Sequence, residues 1–187
     1  MRVSREQVEA NRQQILEAAG RLFREHGYDA VTVADVMSAA GLTHGGFYGY
    51  FKSKDELIAQ TLAHVFAQGE GGDSDLARYA SRYLSAEHRD NVAAGCPTAA
   101  LAAETARQTP EARAVMAAGL ERQIERLSGG MNGAGAAAAR QAAIGGWAAM
   151  VGAVVLARLC DDPALSNEIL ESTRMWIGER EAPRDSN

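Results

Sequence analysis

A pair of short helical patterns, separated by a turn of four residues, constrains the fold of this chain most strongly. Apolar residues repeat at the spacing of one helix face at Val33, Val36, Met37 and Ala40. Thr32 and Asp35 form a variant of the capping box at the start of this helix, and Thr43 is predicted to cap a second helix. Two short helices joined by AGLT (40–43) have the spacing of a helix-turn-helix, whose second helix enters the DNA major groove. An ordinary helical hairpin has the same spacing, so spacing by itself leaves both interpretations open.

The second helix, predicted over residues 44–51, has one apolar face and one face of glycines. At about 100° per residue, Phe47 and Phe51 lie together and are predicted to pack on the first two helices. The opposite face consists of Gly45, Gly46 and Gly49, rimmed by His44, Tyr48 and Tyr50. Such a face is a poor protein core, whereas histidine and tyrosine can hydrogen-bond to phosphates or base edges. Lys52 and Lys54 follow the helix and are predicted to pair with DNA phosphates.

The rest of the chain shows further helical patterns and almost no alternation of period two, so we predict an all-α protein. Helices are predicted at about 6–26, 33–40, 44–51, 54–68, 75–86, 97–107, 110–128, 135–160 and 162–179. His26-Gly27 is predicted to end the first helix, because glycine tolerates the left-handed conformation. The tail EAPRDSN is predicted to be disordered.

Charge and composition limit where a nucleic acid can bind. The formal net charge of the chain is −5, whereas residues 1–54 contain seven Lys or Arg against six Asp or Glu. DNA binding is therefore expected only in the first third. The two cysteines lie far apart and the N-terminus lacks an apolar segment, so a reducing cytoplasm is expected. The uncharged stretch 142–157 is shorter than a bilayer span and is predicted to be a buried helix.

The segment 32–62 resembles the DNA-binding region of the TetR family of bacterial transcriptional repressors. The family pattern is T-x-x-x-[IV]-A-x-x-A-G-[VL]-[ST], followed by Y-x-[HY]-F and K-x-[KE]-L. The matching positions are Thr32, Val36, Met37, Ala39-Ala40-Gly41-Leu42-Thr43, Phe47-Tyr48, Tyr50-Phe51, Lys54 and Leu57. Met37 stands where the family often has alanine, and Tyr50 stands where histidine is common. The resemblance extends over residues 8–68.

This resemblance implies a homodimer in which each subunit has two domains. Residues 1–53 are expected to form a three-helix DNA-binding domain, with the helix-turn-helix at about 33–51. Residues 54–187 are expected to form a larger helical domain for effector binding and dimerisation. In this family the effector-free dimer binds operator DNA and is released by a small molecule. The implied phosphate contacts are Thr32, Thr43, Tyr48, Tyr50 and Lys54, and the residues implied to face the bases are His44, Gly45 and Gly46.

The last two helices are predicted to form the dimer interface. On the first of them, Gly145, Ala149, Gly152 and Leu156 follow helical spacing, and three of the four are small enough for a close helix approach. The final helix is expected to contribute Ile169, Thr173 and Trp176. Packing within one subunit is the alternative interpretation. Two half-sites favour the dimer, since specific operator affinity is typically about 10⁻⁸ M or tighter.

The effector pocket is predicted from large, adaptable side chains on the later helices. The candidates are Phe66, Tyr79, Tyr83, Met116, Trp147 and Met150. Each of these residues can equally be part of a plain core. Cys96 precedes Pro97 and is expected at the start of a helix, where a thiol can be reactive; a small buried or capping residue is the favoured interpretation.

Motifs of enzymes are absent from the sequence. GGMNGAG (129–135) is neither a P-loop nor a dinucleotide-binding motif, and there is no G-x-S-x-G, H-E-x-x-H or C-x-x-C. Neither a metal site nor a cofactor is expected. The sequence predicts a ligand-responsive transcriptional regulator, most simply a repressor. Two rivals are a helical small-molecule-binding protein without DNA binding and, less favoured, a helical enzyme.

Overall fold

The computed structural model describes residues 4–69, 73–131 and 135–181. The regular secondary structure in these residues consists of helices, with no strand among them, which confirms the all-α prediction. The first helices are α1 (Arg5–Ala30), α2 (Val33–Ala39), the 3₁₀ helix η1 (His44–Gly49) and α3 (Lys54–Gln68). They are followed by α4 (Leu76–Tyr83), α5 (Ala86–Asp90), α6 (Pro97–Thr105), α7 (Pro110–Gly129), α8 (Ala136–Leu159) and α9 (Pro163–Glu181). The tail 182–187, predicted to be disordered, lies outside the described residues.

Three local predictions need correction. The segment predicted as one helix over 75–86 is interrupted at Leu84, and Ser85 caps the separate short helix α5 through its hydroxyl. The second helix of the predicted helix-turn-helix is a 3₁₀ helix, which is consistent with three glycines among its six residues. Thr43 occupies its N-cap position, but its side chain makes no capping hydrogen bond. The sequence pattern located these segments correctly and misjudged their local geometry.

Gly27 breaks the helical geometry of α1 as predicted, with φ at +80°. Helical hydrogen bonding resumes beyond it and continues to Ala30. The glycine thus produces a kink near the end of α1 rather than a complete stop, and it turns the following residue towards the core.

The helices group into two compact units, and both units are discontinuous in sequence. The first contains residues 4–69 and 96–119, and the second contains 73–95, 120–131 and 135–181. We refer to them as unit 1 and unit 2. These units are defined by their packing, whereas the boundary expected after residue 53 divides the chain by function. That functional boundary stays a prediction.

Unit 1 is built around one apolar cluster. Ile15, Phe23, Val36 and Phe47 are at most 1% exposed in this cluster. The later part of the chain contributes to the same cluster through Leu101 on α6 and through Ala112 and Met116 on α7. The core that supports the predicted helix-turn-helix is therefore completed by residues that lie about 50 to 80 positions further along the chain.

Unit 2 is centred on α8, which packs on α9, α4 and α5. Its buried face is mostly small, and the larger buried side chains are Trp147, Met150 and Val154. By length and composition α8 is apolar enough to cross a membrane, but core helices of water-soluble proteins pass the same test. One side of α8 packs within unit 2, whereas Ile144, Val155 and Leu156 are exposed, so the predicted buried helix is buried on one side only.

His88 is a half-buried residue that joins α5 to its neighbours in unit 2. Its Nδ1 lies 2.7 Å from the carbonyl oxygen of Tyr83, and its ring centroid is 4.3 Å from that of Tyr83. Arg158 donates to the carbonyl oxygens of His88 and Arg89 at 3.1 and 2.9 Å. Burial lowers the pKa of His88 below its usual 6.5, the contact with the Tyr83 carbonyl opposes this, and the nearby Arg158 cation adds to it.

This lowered pKa predicts a loss of stability in mild acid. The folded protein holds His88 neutral, whereas the unfolded chain binds a proton near pH 6.5, so the contribution is present above that pH and is lost as the pH falls through the folded pKa. We expect the free energy of unfolding, measured in urea between pH 7.5 and 5, to decrease, and His88→Phe to flatten this decrease. His64→Gln serves as the control because His64 pairs with the exposed side chain of Gln68 on the same helix. An unchanged pH slope in His88→Phe contradicts the prediction.

Candidate nucleic-acid interface

The predicted capping box at the start of α2 is present. The hydroxyl of Thr32 accepts the backbone N–H of Asp35 at 3.1 Å, and the carboxylate of Asp35 accepts the backbone N–H of Thr32 at 2.8 Å. The Thr32 hydroxyl also donates to this carboxylate at 2.6 Å. Hydrogen bonds from the hydroxyl and then from the backbone of Thr32 lower the pKa of Asp35. The interaction fixes the first turn of α2, and through it the turn that leads into η1.

The apolar face of η1 packs as the sequence predicts. Phe47 and Phe51 are 1% and 2% exposed, and their rings stack with centroids 5.7 Å apart. Gly41, in the turn between α2 and η1, has φ at +70°, and the next residue, Leu42, donates its N–H to the carbonyl of Met37 at 2.8 Å. This turn and the two phenylalanines hold η1 against α2, so the opposite face of η1 is directed to solvent.

The solvent face of η1 is nearly bare. A Cβ atom added at Gly45 or Gly49 would have no atom of this chain within 4 Å, apart from its immediate surroundings in the helix. Tyr48 is 74% exposed, and His44 is exposed as well. Gly46 differs from the prediction of an outward position, since it is half-buried and its Cβ position lies 3.8 Å from the Met37 methyl group. The exposed outer face of η1 is therefore formed by Gly45, Gly49, His44 and Tyr48.

Three other predicted DNA contacts also interact within the protein. The hydroxyl of half-buried Tyr50 accepts a hydrogen bond from Asn11 at 2.8 Å. The ammonium of Lys54 donates to the carbonyl of Tyr28 at 2.5 Å, which leaves two of its three protons for other acceptors. Lys52 is exposed, and its backbone N–H donates to Glu56 at 2.6 Å. Phosphate binding by these residues stays a prediction.

Tyr28 is a residue of unit 1 that the sequence analysis did not single out. It is 1% exposed, and its hydroxyl lies 3.0 Å from that of Thr105 on α6. Its N–H donates to the carboxylate of Glu104 at 2.7 Å, and its carbonyl accepts from Lys54 at the start of α3. One tyrosine thereby connects the ends of α1 and α6 to the beginning of α3. In the sequence, the signal that could have indicated this role was an aromatic residue placed directly after a helix-breaking glycine, Gly27-Tyr28.

The environment of Tyr28 keeps its phenol neutral. Burial raises its pKa to about 12, the hydrogen bond with Thr105 acts in the opposite direction, and the nearby Glu104 carboxylate raises the pKa further. The neutral phenol therefore stays hydrogen-bonded to Thr105 throughout the physiological pH range.

Family models match both parts of the chain. Residues 15–61 match the model described as bacterial regulatory proteins, tetR family, and residues 75–167 match the model described as transcriptional regulator LmrA/YxaF-like, C-terminal domain. The chain belongs to the TetR family. The members named by these matches are regulators of transcription and not enzymes, in agreement with the sequence prediction.

Curated relatives match this TetR-family chain in its N-terminal part. The HTH-type transcriptional repressor Rv1474c of Mycobacterium tuberculosis is 40% identical over 57 residues, which are 30% of either chain. The HTH-type transcriptional regulator TtgR of Pseudomonas putida is 39% identical over 62 residues, or 33% of this chain and 30% of the relative. The chain thus spans about a third of the length of these relatives.

Solved structures match nearly the whole fold. The reduced form of Escherichia coli NemR superimposes with a TM-score of 0.74 at 21% identity, and the match covers 91% of this chain and 96% of NemR. FadR of Bacillus subtilis in complex with stearoyl-CoA matches with a TM-score of 0.58 at 19% identity, covering 86% and 96% of the two chains. At these identities the likeness establishes the fold.

The predicted pocket residues of this TetR-family chain fall into two groups. Phe66 and Met116 belong to unit 1, where Met116 is part of the apolar cluster and Phe66 packs against it. Tyr79, Tyr83 and Trp147 are brought together in unit 2, where their ring centroids are 5.2 to 5.9 Å apart. Met150 lies in unit 2 as well and is fully buried. Cys96 occupies the predicted N-cap of α6, is half-buried and makes no capping hydrogen bond.

The predicted dimer residues lie on a partly exposed face of α8 and α9. Leu156 is 54% exposed and Trp176 is 42% exposed, and Gly145 and Gly152 have no atom within 4 Å of a Cβ position. The remaining predicted members, Ala149, Ile169 and Thr173, are half-buried. Further exposed apolar side chains on the same two helices are Ile144, Val155, Leu159, Leu165 and Met175. We call the exposed apolar residues of α8 and α9, together with Gly145 and Gly152, the α8–α9 face.

Proposed function

We propose that this protein is a cytoplasmic, ligand-responsive repressor that binds operator DNA as a homodimer. The observation that carries the proposal is the bare outer face of η1, which is held outward by the buried Phe47 and Phe51. Backbone at Gly45 and Gly49 can approach the groove closely, while His44 and Tyr48 extend from the edges of this face towards phosphates and bases. Membership of the TetR family supports this interpretation over an ordinary helical hairpin.

The control of DNA binding is proposed to pass through α3. This helix begins at Lys54, directly after the segment that reads DNA, and its first residue is held by the carbonyl of Tyr28. An effector that favours a different position of α3 changes the separation of the two reading helices in the dimer. Because the two half-sites have a fixed spacing on DNA, such a change lowers the affinity for the operator.

The α8–α9 face is proposed to bind a second copy of this chain. Several large apolar side chains are exposed there on two adjacent helices, an arrangement that marks an interaction surface. The open positions at Gly145 and Gly152 allow a partner helix to approach closely. The two symmetric half-sites of an operator require such a dimer.

We expect Leu156→Glu to convert the dimer to a monomer and to weaken operator binding at least about tenfold, since it places a charge in an apolar interface. Sedimentation velocity measures the change in mass. Val8→Glu is the matched control, because Val8 is a similarly exposed apolar residue outside this face. A dimer that persists in Leu156→Glu places the interface elsewhere.

Selection of bound fragments from bacterial DNA tests the central proposal. We expect the purified protein to enrich a short palindromic sequence, and its affinity for that sequence to fall steeply with salt, as phosphate contacts require. Lys52→Ala is expected to reduce the slope of log affinity against log salt by about 1. If no sequence is enriched and the affinity does not depend on salt, the helical small-molecule-binding protein without DNA binding becomes the better interpretation.

A further inference from the structure

The aromatic cluster of unit 2 contains buried hydrogen-bond donors that the protein itself leaves unused. Trp147 is 7% exposed, and its indole N–H has no hydrogen-bond partner among the residues that the structure describes. The side-chain N–H group of Gln123 on α7 is buried and has no partner in this described part of the chain either. A buried donor without an acceptor destabilises the folded protein, so such groups in a native structure call for an explanation.

These donors are connected through a cation. Arg126, one turn after Gln123 on α7, donates to the side-chain oxygen of Gln123. Its guanidinium lies over the ring of Tyr79, 5.4 Å from the centroid, and Tyr79 in turn contacts the ring of Trp147 at 5.9 Å. The orientation of the Gln123 amide is fixed by this arrangement, because Arg126 can only donate and therefore faces the oxygen. The amide nitrogen, and not the oxygen, is the group left without a partner.

The set therefore places two neutral donors, those of Trp147 and Gln123, beside a cation and three aromatic rings. Tyr79, Tyr83 and Trp147 form an aromatic cluster whose stacked and edge-on contacts hold the rings in a defined geometry, and an aromatic ligand matches this cluster in its chemistry. A ligand that satisfies the donors has to bring acceptor atoms. An anionic oxygen suits them best, since hydrogen bonds to a charged group are about twice as strong as neutral ones.

We propose that the effector bound in unit 2 is an aromatic carboxylate, whose carboxylate oxygens accept hydrogen bonds from Trp147 and Gln123 near Arg126. This inference rests on the proposed function, in which unit 2 receives the effector, and adds the chemical class of the ligand. The ring system of the ligand lies against Tyr79 and Tyr83. The carboxylate supplies the acceptors that the protein lacks at this place.

Calorimetric titration of the full-length protein with benzoate and 2-naphthoate tests the proposal. We expect at least one of the two acids to bind, and the neutral 2-naphthalenemethanol to bind at least fivefold more weakly than 2-naphthoate. Trp147→Phe removes the indole donor while keeping an aromatic ring, and Gln123→Leu removes the amide donor; each is expected to weaken binding of the acid at least fivefold. Gln14→Leu is the matched control for Gln123→Leu, because Gln14 is an exposed glutamine on α1 in unit 1, outside the cluster, and its replacement is expected to leave the affinity unchanged.

Several results overturn the proposal. They are the failure of both acids to bind, equal affinity for the neutral alcohol, or unchanged affinity in the two donor variants. Thermal melts check that each variant folds; if Trp147→Phe does not, Gln123→Leu and the alcohol comparison decide. Operator binding without acid is measured in parallel, so that loss of the ligand proposal is distinguished from loss of the proposed repressor function.

Discussion

Gly45→Leu is expected to abolish specific operator binding and to leave the folded structure intact. The backbone at Gly45 has no positive φ, and the space beyond its Cβ position contains no atom of the chain within 4 Å, so leucine costs little in the absence of DNA. On the operator the same side chain occupies the volume between η1 and the groove. The protein then keeps at most its sequence-independent affinity, so the dissociation constant for the operator is expected to rise at least about 100-fold.

The measurement compares fluorescence anisotropy of labelled operator DNA with circular dichroism and sedimentation of the free protein. Gly129→Leu is the matched control, because Gly129 is also exposed and open but lies at the end of α7, in unit 2. Operator binding by Gly45→Leu at wild-type affinity means that η1 does not enter the groove. A helical signal lost in Gly45→Leu means that the glycine is needed for folding.

Gly27→Ala is expected to reduce the free energy of unfolding by about 2–5 kcal/mol, a large effect for a single methyl group. A side chain at φ of +80° costs roughly 1–2 kcal/mol. The added Cβ also lies 2.5 Å from the carboxylate of Glu104, which has to move and thereby gives up the N–H of Tyr28. A part-buried donor without an acceptor costs roughly a further 1–3 kcal/mol.

A double-mutant cycle in urea separates the two contributions. In the Glu104→Ala background the collision is absent, so Gly27→Ala is expected to cost only the backbone strain there, about 1–2 kcal/mol. Gly41→Ala is the matched control for strain without collision, because Gly41 has φ of +70° and nothing within 4 Å of its Cβ position. Equal costs of Gly27→Ala in the two backgrounds contradict the role given to Glu104.

The repeating apolar patterns were sufficient to predict the helices because each pattern depends on residues three or four apart. The capping box of Thr32 and Asp35 is local in the same way and was confirmed. The 3₁₀ geometry of η1 and the break at Leu84 depend on small differences in backbone energy, which a pattern of apolar residues does not report. Contacts such as that between Tyr28 and Glu104 join residues 76 positions apart, and no local pattern encodes them.

For the candidate DNA site, the sequence predicted the glycine face and its rim but not which of its members interact within the protein. Tyr50 and Lys54 were assigned from spacing, whereas their hydrogen bonds with Asn11 and Tyr28 arise from the packing of α1. Among the pocket candidates, the grouping of Tyr79, Tyr83 and Trp147 came from the tertiary fold. Residue type was enough to select the six pocket candidates, whereas the packing of the helices determines which of them lie together.

The discontinuity of unit 1 in the sequence limits how unit 1 and unit 2 can be exchanged between related proteins. A fragment that ends at residue 69 lacks Leu101, Ala112 and Met116, and it also lacks the acceptors of Tyr28 at the end of α6. This isolated N-terminal fragment would expose apolar surface and leave polar groups that are buried in the intact protein without partners. A chimaera that keeps the whole of unit 1 therefore needs three junctions, near residues 70, 95 and 119. A single crossover is enough to exchange domains that are continuous in sequence. In this chain it would separate residues 4–69 from the α6 and α7 residues that complete their core.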